Sequence, residues 1–416
     1  MLDTTSPPAA PPPAAPKIGI GASTFILITV LLDAAGIGLI MPVLPDLLVE
    51  FSHGGGIAGA AAIGGWLAFS YAGMQFLCAP GLGALSDRFG RRPILLASMA
   101  AMAVDYAIMA GTGALWALFA ARIMSGAAGA TMSAARSWVA DRTSAADRAR
   151  HFGRMGAAMG LGFALGPALG GLLGELGPRA PFWAAALLAA ANLILGLVAL
   201  PESLGRDRRR AAGWRDADPL RALRRAAVLP GLGALLAVGF LYELGVQAYP
   251  AVWSFVGIAA WEWSPAQIGL SLTVYGVLSG ASQAFLVAPA IRMFGERRAL
   301  IIALAADIVG AVGVGLATDG WMVYALMPLL GASAITHPAL YAMISSRAPD
   351  GRQGEIQGVL ASLAGIAAVI SPLAMTAVFA AFVGPGAIMA LPGAPFVLTA
   401  LILCGALALF VRATRR

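Results

Sequence analysis

The chain has 416 residues, 59% hydrophobic and 11% charged, against about 25% charged in a soluble domain. That composition excludes an ordinary water-soluble protein and points to a polytopic membrane protein. Its apolar runs are continuous, which argues against a β-barrel, whose strands alternate polar and apolar residues. The net charge of +7 invites a nucleic-acid reading that the distribution of the charge removes.

Residues 1–17 begin with Met1–Pro16, rich in Pro and Ala and without a basic n-region, and read as a disordered cytoplasmic tail rather than a cleaved signal. A membrane span needs about 20 mostly apolar residues. Runs of that kind number about twelve, near 19–43, 59–83, 93–112, 114–137, 153–174, 182–200, 229–255, 268–290, 299–317, 321–345, 356–380 and 389–411. Of 27 Lys and Arg, Arg122 and Arg136 fall within the fourth run and Arg179 in the loop after the fifth. The other 24 lie in the tails or the even-numbered loops, with Arg154 at the edge of the fifth run. Basic loops stay cytoplasmic, so both termini are predicted on that side.

Four carboxylates lie at lipid depth: Asp33, Asp105, Glu243 and Asp307, in the first, third, seventh and ninth spans. An ionised acid there costs roughly 3 kcal/mol or more unless it is paired, hydrated or protonated. Burial favours the neutral carboxyl, so reversible proton binding is the predicted use. For Asp105 and Asp307 a purely structural hydrogen bond to a neighbouring helix remains the other reading. Arg122 is deep in the fourth span, where an unpaired guanidinium is costly. Arg136 lies 14 residues on, on nearly the same face but near the span's end, where it can snorkel to the interface. Gln75 and Gln247 are candidate substrate hydrogen-bonders, or satisfied polar groups of the core.

In the fifth span Gly162, Gly166, Gly170 and Gly174 recur every four residues beside Pro167 and Gly171. Such a stripe lets another helix pack closely, and the proline removes a backbone donor and can bend the helix. Residues 201–228 hold Arg206, Arg208, Arg209, Arg210, Arg215, Arg221, Arg224 and Arg225 and divide the chain into 18–200 and 229–411, each with six spans. The segment reads as a solvated connector lying partly on the headgroups, or as a site for anionic lipid or a partner. Residues 412–416 form a second cytoplasmic tail. Cys78 and Cys404 sit in apolar spans and read as inert packing. His53, His151 and His337 are widely spaced and read as outside the apolar centres, so neither a metal centre nor a nucleophile-and-base pair is expected.

The halves carry a faint repeat. Gly83-Ala-Leu-Ser-Asp87-Arg88-Phe89-Gly90-Arg91-Arg92 is answered 205 residues later by Ala288-Pro-Ala-Ile-Arg292-Met-Phe294-Gly295-Glu296-Arg297, with the charges of Asp87 and Arg91 exchanged. Repeated halves with a site between them are a recurring transporter plan.

The segment Gly83–Pro93, GALSDRFGRRP, resembles the loop signature of the major facilitator superfamily. The match extends to LLDAAGIGLIMPVLP (31–45), VDYAIMA (104–110), ADRTSAADRARHFG (140–153), GLGFALGPALGG (160–171), GERRAL (295–300) and RQGEIQG (352–358). Together these resemble the tetracycline/proton antiporters, from about residue 18 onward. The resemblance implies an all-α membrane protein of twelve transmembrane helices in two pseudo-symmetric six-helix bundles. It further implies a monomer in the inner membrane, without cofactor, that exports an amphipathic drug-like molecule in exchange for protons by alternating access.

Residue by residue, the resemblance implies that Asp87 caps a helix in the other half, that Arg91 pairs with Asp141, and that Gly83 permits close backbone approach. The competing reading is that Arg88, Arg91 and Arg92 merely fix topology. Gly166-Pro167 with the following glycines would mark an antiporter, Arg122 would join a proton relay, Asp307 would carry a proton-linked role, and Asp33 and Glu243 would line the cavity. The sequence departs from the family's pattern at Glu243, where a glutamine is usual, at Ser279, near a usual histidine, at Arg136, usually small, and in Gly129-Ala-Thr-Met-Ser. The added acid and base leave room for a different, cationic substrate. The alternative within transport is a metabolite permease or proton symporter.

Overall fold

The computed structural model describes residues 20–209, 232–347, 352–384, 386–387 and 389–414. The tail at 1–17 and most of the linker, with Arg210, Arg215, Arg221, Arg224 and Arg225, lie outside the described residues. The described residues hold helices and no strand. In the first half these are α1 (Ile20–Ile40), α2 (Leu44–Val49), α3 (Gly56–Phe89), α4 (Arg91–Gly111), α5 (Leu115–Ala127), α6 (Thr131–Arg142), α7 (Ala145–Gly174) and α8 (Ala180–Ala199). The second half holds α9 (Gly233–Val246), α10 (Ala248–Trp261), α11 (Pro265–Phe285), α12 (Val287–Leu316), α13 (Gly320–Ser333), α14 (Thr336–Ser346), α15 (Gln353–Ala381) and α16 (Ala394–Ala413).

Eleven helical segments are long and apolar enough to cross a membrane, and Thr24–Ile40 is a shorter apolar helix. Helices are the expected answer in lipid, because each satisfies its own backbone groups. Three spans are built from two helices end to end: α5–α6, α9–α10 and α13–α14. These are the fourth, seventh and tenth. A break frees carbonyls that need other partners, and neighbouring side chains supply them. Gln75 donates to the Gly129 carbonyl at 3.3 Å and Ser98 to Ala128 at 2.6 Å. In the second half Ser371 donates to Leu244 at 2.9 Å and Thr399 to Gly245 at 3.3 Å. Arg412, assigned from the sequence to a tail, belongs to the last turn of α16.

The repeat has a structural counterpart. Gly90, between α3 and α4, has φ 111°, and Gly295, 205 residues later within α12, has φ 75°. Both lie in the region that favours glycine, so the same corner is built twice.

The halves meet through α7 against α11 and α3 against α15, and both pairs splay. At one end Gly174 abuts Pro265, Gly269 abuts the Pro167 carbonyl, and Gly65 abuts Thr376. Ser254 also donates to the Met41 carbonyl at 2.7 Å across the halves. Glu175 adds a carboxylate at the N-terminus of α11, accepting the Ala266 backbone N–H at 3.1 Å, a favourable place for negative charge. Burial and the nearby Glu175 push the Asp46 carboxyl of α2 above its usual range. At the other end, which carries Arg91 and Arg92, methyl groups built at Gly81, Gly83, Gly153, Gly156 or Gly160 would meet nothing. The close approaches between the halves thus lie toward Gly174 and Pro265, and the glycines of α3 and α7 nearest the basic end make none.

Candidate functional site

A cavity of about 560 Å³ lies between the halves, lined by Asp33, Tyr71, Gln75, Ser125, Thr131 and Arg136 among others of the first half and by Ala361, Ser362 and Gly365 of α15. A drug-sized ligand needs roughly 300–1,000 Å³. Asp33 comes from the middle of α1, and Arg136 from α6 beyond the break. Arg136 is exposed and makes no ion pair or hydrogen bond among the described residues. Gln75 is tied to the Gly129 carbonyl and, at 3.5 Å, to the Tyr71 hydroxyl. Gln247, expected beside the substrate, instead sits at the junction of α9 and α10, outside this lining.

Behind the cavity wall Arg122 of α5 reaches Asp105 of α4 at 2.7 Å, with the two side chains 13% and 1% exposed. The guanidinium also meets the Met109 sulfur at 2.7 Å and lies 5.5 Å from the Tyr71 ring centre. Asp105 Oδ1 and Arg122 Nε are buried without hydrogen-bond partners among the described residues. The pairing makes two expensive charges tolerable in the membrane by cancelling them. The sequence shows each as a costly charge at lipid depth but does not show that they pair.

The second half buries its acids differently. Asp307 of α12 accepts a hydrogen bond from the Thr336 hydroxyl at 2.8 Å. Glu243 of α9 accepts one from the Tyr341 hydroxyl at 2.8 Å, and His337 Nε2 stands 3.3 Å from the same oxygen. Among the described residues no arginine or lysine pairs with either acid. Glu243 and Asp307 lie outside the residues lining the cavity, a correction to the expectation that Glu243 faces it. His337, read from the sequence as outside the apolar centre, belongs to the first turn of α14 beside a buried acid. Its spacing of four from Tyr341 was the available signal, since such residues share a helix face.

At the basic end the expected pair forms: Arg91 Nε donates to Asp141 Oδ2 at 3.2 Å, and Arg91 also pairs with Asp87 one turn earlier. Asp87 forms no hydrogen bond or ion pair with the other half among the described residues, and a methyl at Gly83 would touch nothing. Both expectations concern contacts between the halves that do not form here. The carboxylate that caps a helix here is Glu202, from the start of the supposed linker. It accepts the backbone N–H of Arg91 at 2.8 Å and of Arg92 at 3.3 Å at the N-terminus of α4. Ser203 donates to Asp141 at 3.0 Å and Trp138 to the Pro201 carbonyl at 2.9 Å, so residues 201–204 belong to the first bundle.

The glycine stripe of α7 serves two partners. Side chains at Gly162, Gly166 or Gly170 would strike α1 at Leu31, Ala35 and Leu39, whereas one at Gly171 would strike Pro265 of α11. Pro167 packs on Gly38 of α1 and presents its carbonyl to Gly269 of α11. One turn earlier the Ala164 carbonyl accepts a hydrogen bond from Thr273 of α11 at 2.9 Å.

The architecture and sequence have close counterparts. The Escherichia coli tetracycline resistance protein, class C, is 47% identical over 86% of this chain and 89% of its own length. The class G protein of Vibrio anguillarum is 44% identical over 86% and 90%. The crystal structure of the human organic anion transporter MFSD10 superposes with TM-score 0.68 at 26% identity, covering 94% of this chain and 99% of that one. The nucleoside transporter NupG has the same fold, with TM-score 0.72 at 12% identity over 95% and 99%. Residues 26–258 and 243–416 match the Major Facilitator Superfamily, and the chain, a multi-pass membrane transporter rather than an enzyme, belongs to that family.

Proposed function

We propose that the protein exports a tetracycline-type amphipathic molecule in exchange for protons by alternating access. The observation that carries this reading is a drug-sized cavity between the halves holding Asp33, in a chain 47% identical to a tetracycline resistance protein. Protonation of Asp33 and binding of substrate beside it compete, so each drives the other's release. Glu243 and Asp307 take up protons in the second half, and the Asp105–Arg122 pair fixes the field behind Asp33 and Tyr71. Gln75 and Arg136 orient the substrate, and Gln247 holds the seventh span's break. Gly83, Asp87, Arg91 and Asp141 latch the basic end when it closes. Gly162, Gly166, Pro167, Gly170 and Gly171 form the rocking surface between 18–200 and 229–411.

The basic end is cytoplasmic in this reading, with both termini there and the protein monomeric in the inner membrane. The arginines around α4 and at 148, 150 and 154 support that orientation. The driving force suffices: one charge across 100 mV is worth ~2.3 kcal/mol and one pH unit ~1.4 kcal/mol. Together these sustain a gradient of several hundredfold for one proton per neutral substrate.

Uptake of tetracycline with magnesium into everted vesicles tests the proposal. An imposed pH gradient, acid inside, should drive accumulation that a protonophore collapses. Accumulation indifferent to the gradient would overturn proton exchange. Arg136 gives one reason to test an anion as well: its guanidinium is unpartnered in the cavity, and the human relative is an organic anion transporter. Competition by a carboxylated aromatic that disappears in Arg136→Gln would favour that substrate class.

A further inference from the structure

We propose that His337 is the proton port of the second half, carrying protons between water on its exposed side and the buried Glu243. The inference rests on the proton-exchange reading and assigns the route by which one of its acids is loaded. Glu243 has a side chain only 9% exposed, whereas His337, 3.3 Å away, is 52% exposed. The acid is shut in and the imidazole is open.

The remaining neighbours leave the imidazole as the link. Tyr341 stacks on the His337 ring with centroids 4.2 Å apart and donates its hydroxyl to Glu243 Oε1. Tyr242 of α9 presents a ring 6.4 Å from the imidazole. From α12, Asp307 reaches this group only through the Thr336 hydroxyl, one residue before His337. From α15 comes the neutral Gln357, whose amide donates to Ser345. Phenols, a hydroxyl and an amide do not exchange protons near neutral pH; an imidazole does.

His337 is not itself among the residues lining the cavity of about 560 Å³, but its helix runs beside that lining. His337, Tyr341 and Ser345 recur every four residues and share a face of α14. Ser345 is bonded to Gln357 of α15, whose next turns, at Ala361, Ser362 and Gly365, line the cavity. An imidazole turned instead to hydrocarbon would be costly. In each transfer water on the exposed side gives a proton to the imidazole, the imidazolium passes its Nε2 proton to Glu243 Oε1, and the ring is left neutral. Discharge runs the same steps in reverse, so one proton moves and no other bond changes.

The test separates proton delivery from folding and binding. In everted vesicles, pH-gradient-driven uptake of tetracycline with magnesium is compared with tetracycline counterflow, which needs no net proton movement. His337→Gln should slow driven uptake by at least about a hundredfold, the low end for losing an acid–base group, and leave counterflow intact. Imidazole added to His337→Gly should restore driven uptake, because the position is open. Driven uptake undiminished in His337→Gln, equal loss of both activities, or no response to imidazole would each overturn the port. Absence of driven uptake in the unsubstituted protein would instead overturn proton exchange itself, and the port with it.

Discussion

The two halves solve the same problem, an acid in the membrane, with different partners. In the first, Asp105 is held by Arg122, a cation that no accessible pH removes, and the two form a fixed neutral pair. In the second, Glu243 is held by Tyr341 and His337, and Asp307 by Thr336. None of these partners carries a permanent charge. The first acid therefore sits beside a permanent charge, and the two of the second half beside neutral or titratable groups. In the proposed reading the Asp105–Arg122 pair fixes the field behind the cavity, while Asp33 beside the substrate and the two acids of the second half exchange protons.

The contrast breaks most visibly at Arg122. Arg122→Gln leaves a buried carboxylate unpaired and should cost about 3–5 kcal/mol, with the double variant Asp105→Asn/Arg122→Gln recovering most of it; melting in detergent reads both. A next, smaller effect comes from Gly170→Ala, whose methyl strikes the Leu39 carbonyl inside the first half and should cost about 1–3 kcal/mol by overpacking. Gly171→Ala strikes Pro265 across the halves instead. It should spare the melting temperature and favour the state open at the opposite end, read by cysteine accessibility.

Glu243→Gln keeps an acceptor for Tyr341 and should cost only about 1 kcal/mol while removing a proton site. If it destabilises as much as Arg122→Gln, the two halves are not different in kind. Glu175→Gln weakens the charge at the N-terminus of α11 and should loosen the closed end by about 0.3–1 kcal/mol. The smallest effect is at Asp46, whose carboxyl is pushed up by burial and by Glu175. The folded state binds that proton more tightly than the unfolded one, so stability falls as pH rises above the ordinary carboxylate range. Asp46→Asn should therefore be more stable than the parent at neutral pH and equal to it in acid, as melting against pH would report.

The spans, close to their number, and the repeat were legible because the lipid imposes them: apolar length, basic loops and a glycine at the same place in each half all follow from local sequence. The Arg91–Asp141 pair was legible through the motif. Arg122 and Asp105 were each visible as costly, but their pairing depends on how α4 and α5 are rotated, which hydropathy does not encode. His337 reads from the sequence as outside the apolar centre because an apolar run does not reveal that the tenth span breaks at Ala334–Ile335, or that the helix restarting there brings the imidazole beside Glu243. Glu202 was hidden at the head of a basic segment whose composition reads as solvated. Asp87 was expected at the facing half, but among the described residues its partner is Arg91 of its own half.

Proton release on addition of tetracycline with magnesium to the purified protein, followed with a pH indicator in weak buffer, tests the division most directly. Release should persist in the stabilised Asp105→Asn/Arg122→Gln variant and fall in Glu243→Gln and in Asp307→Asn. Undiminished release from both second-half variants, with loss confined to the first-half one, would contradict it.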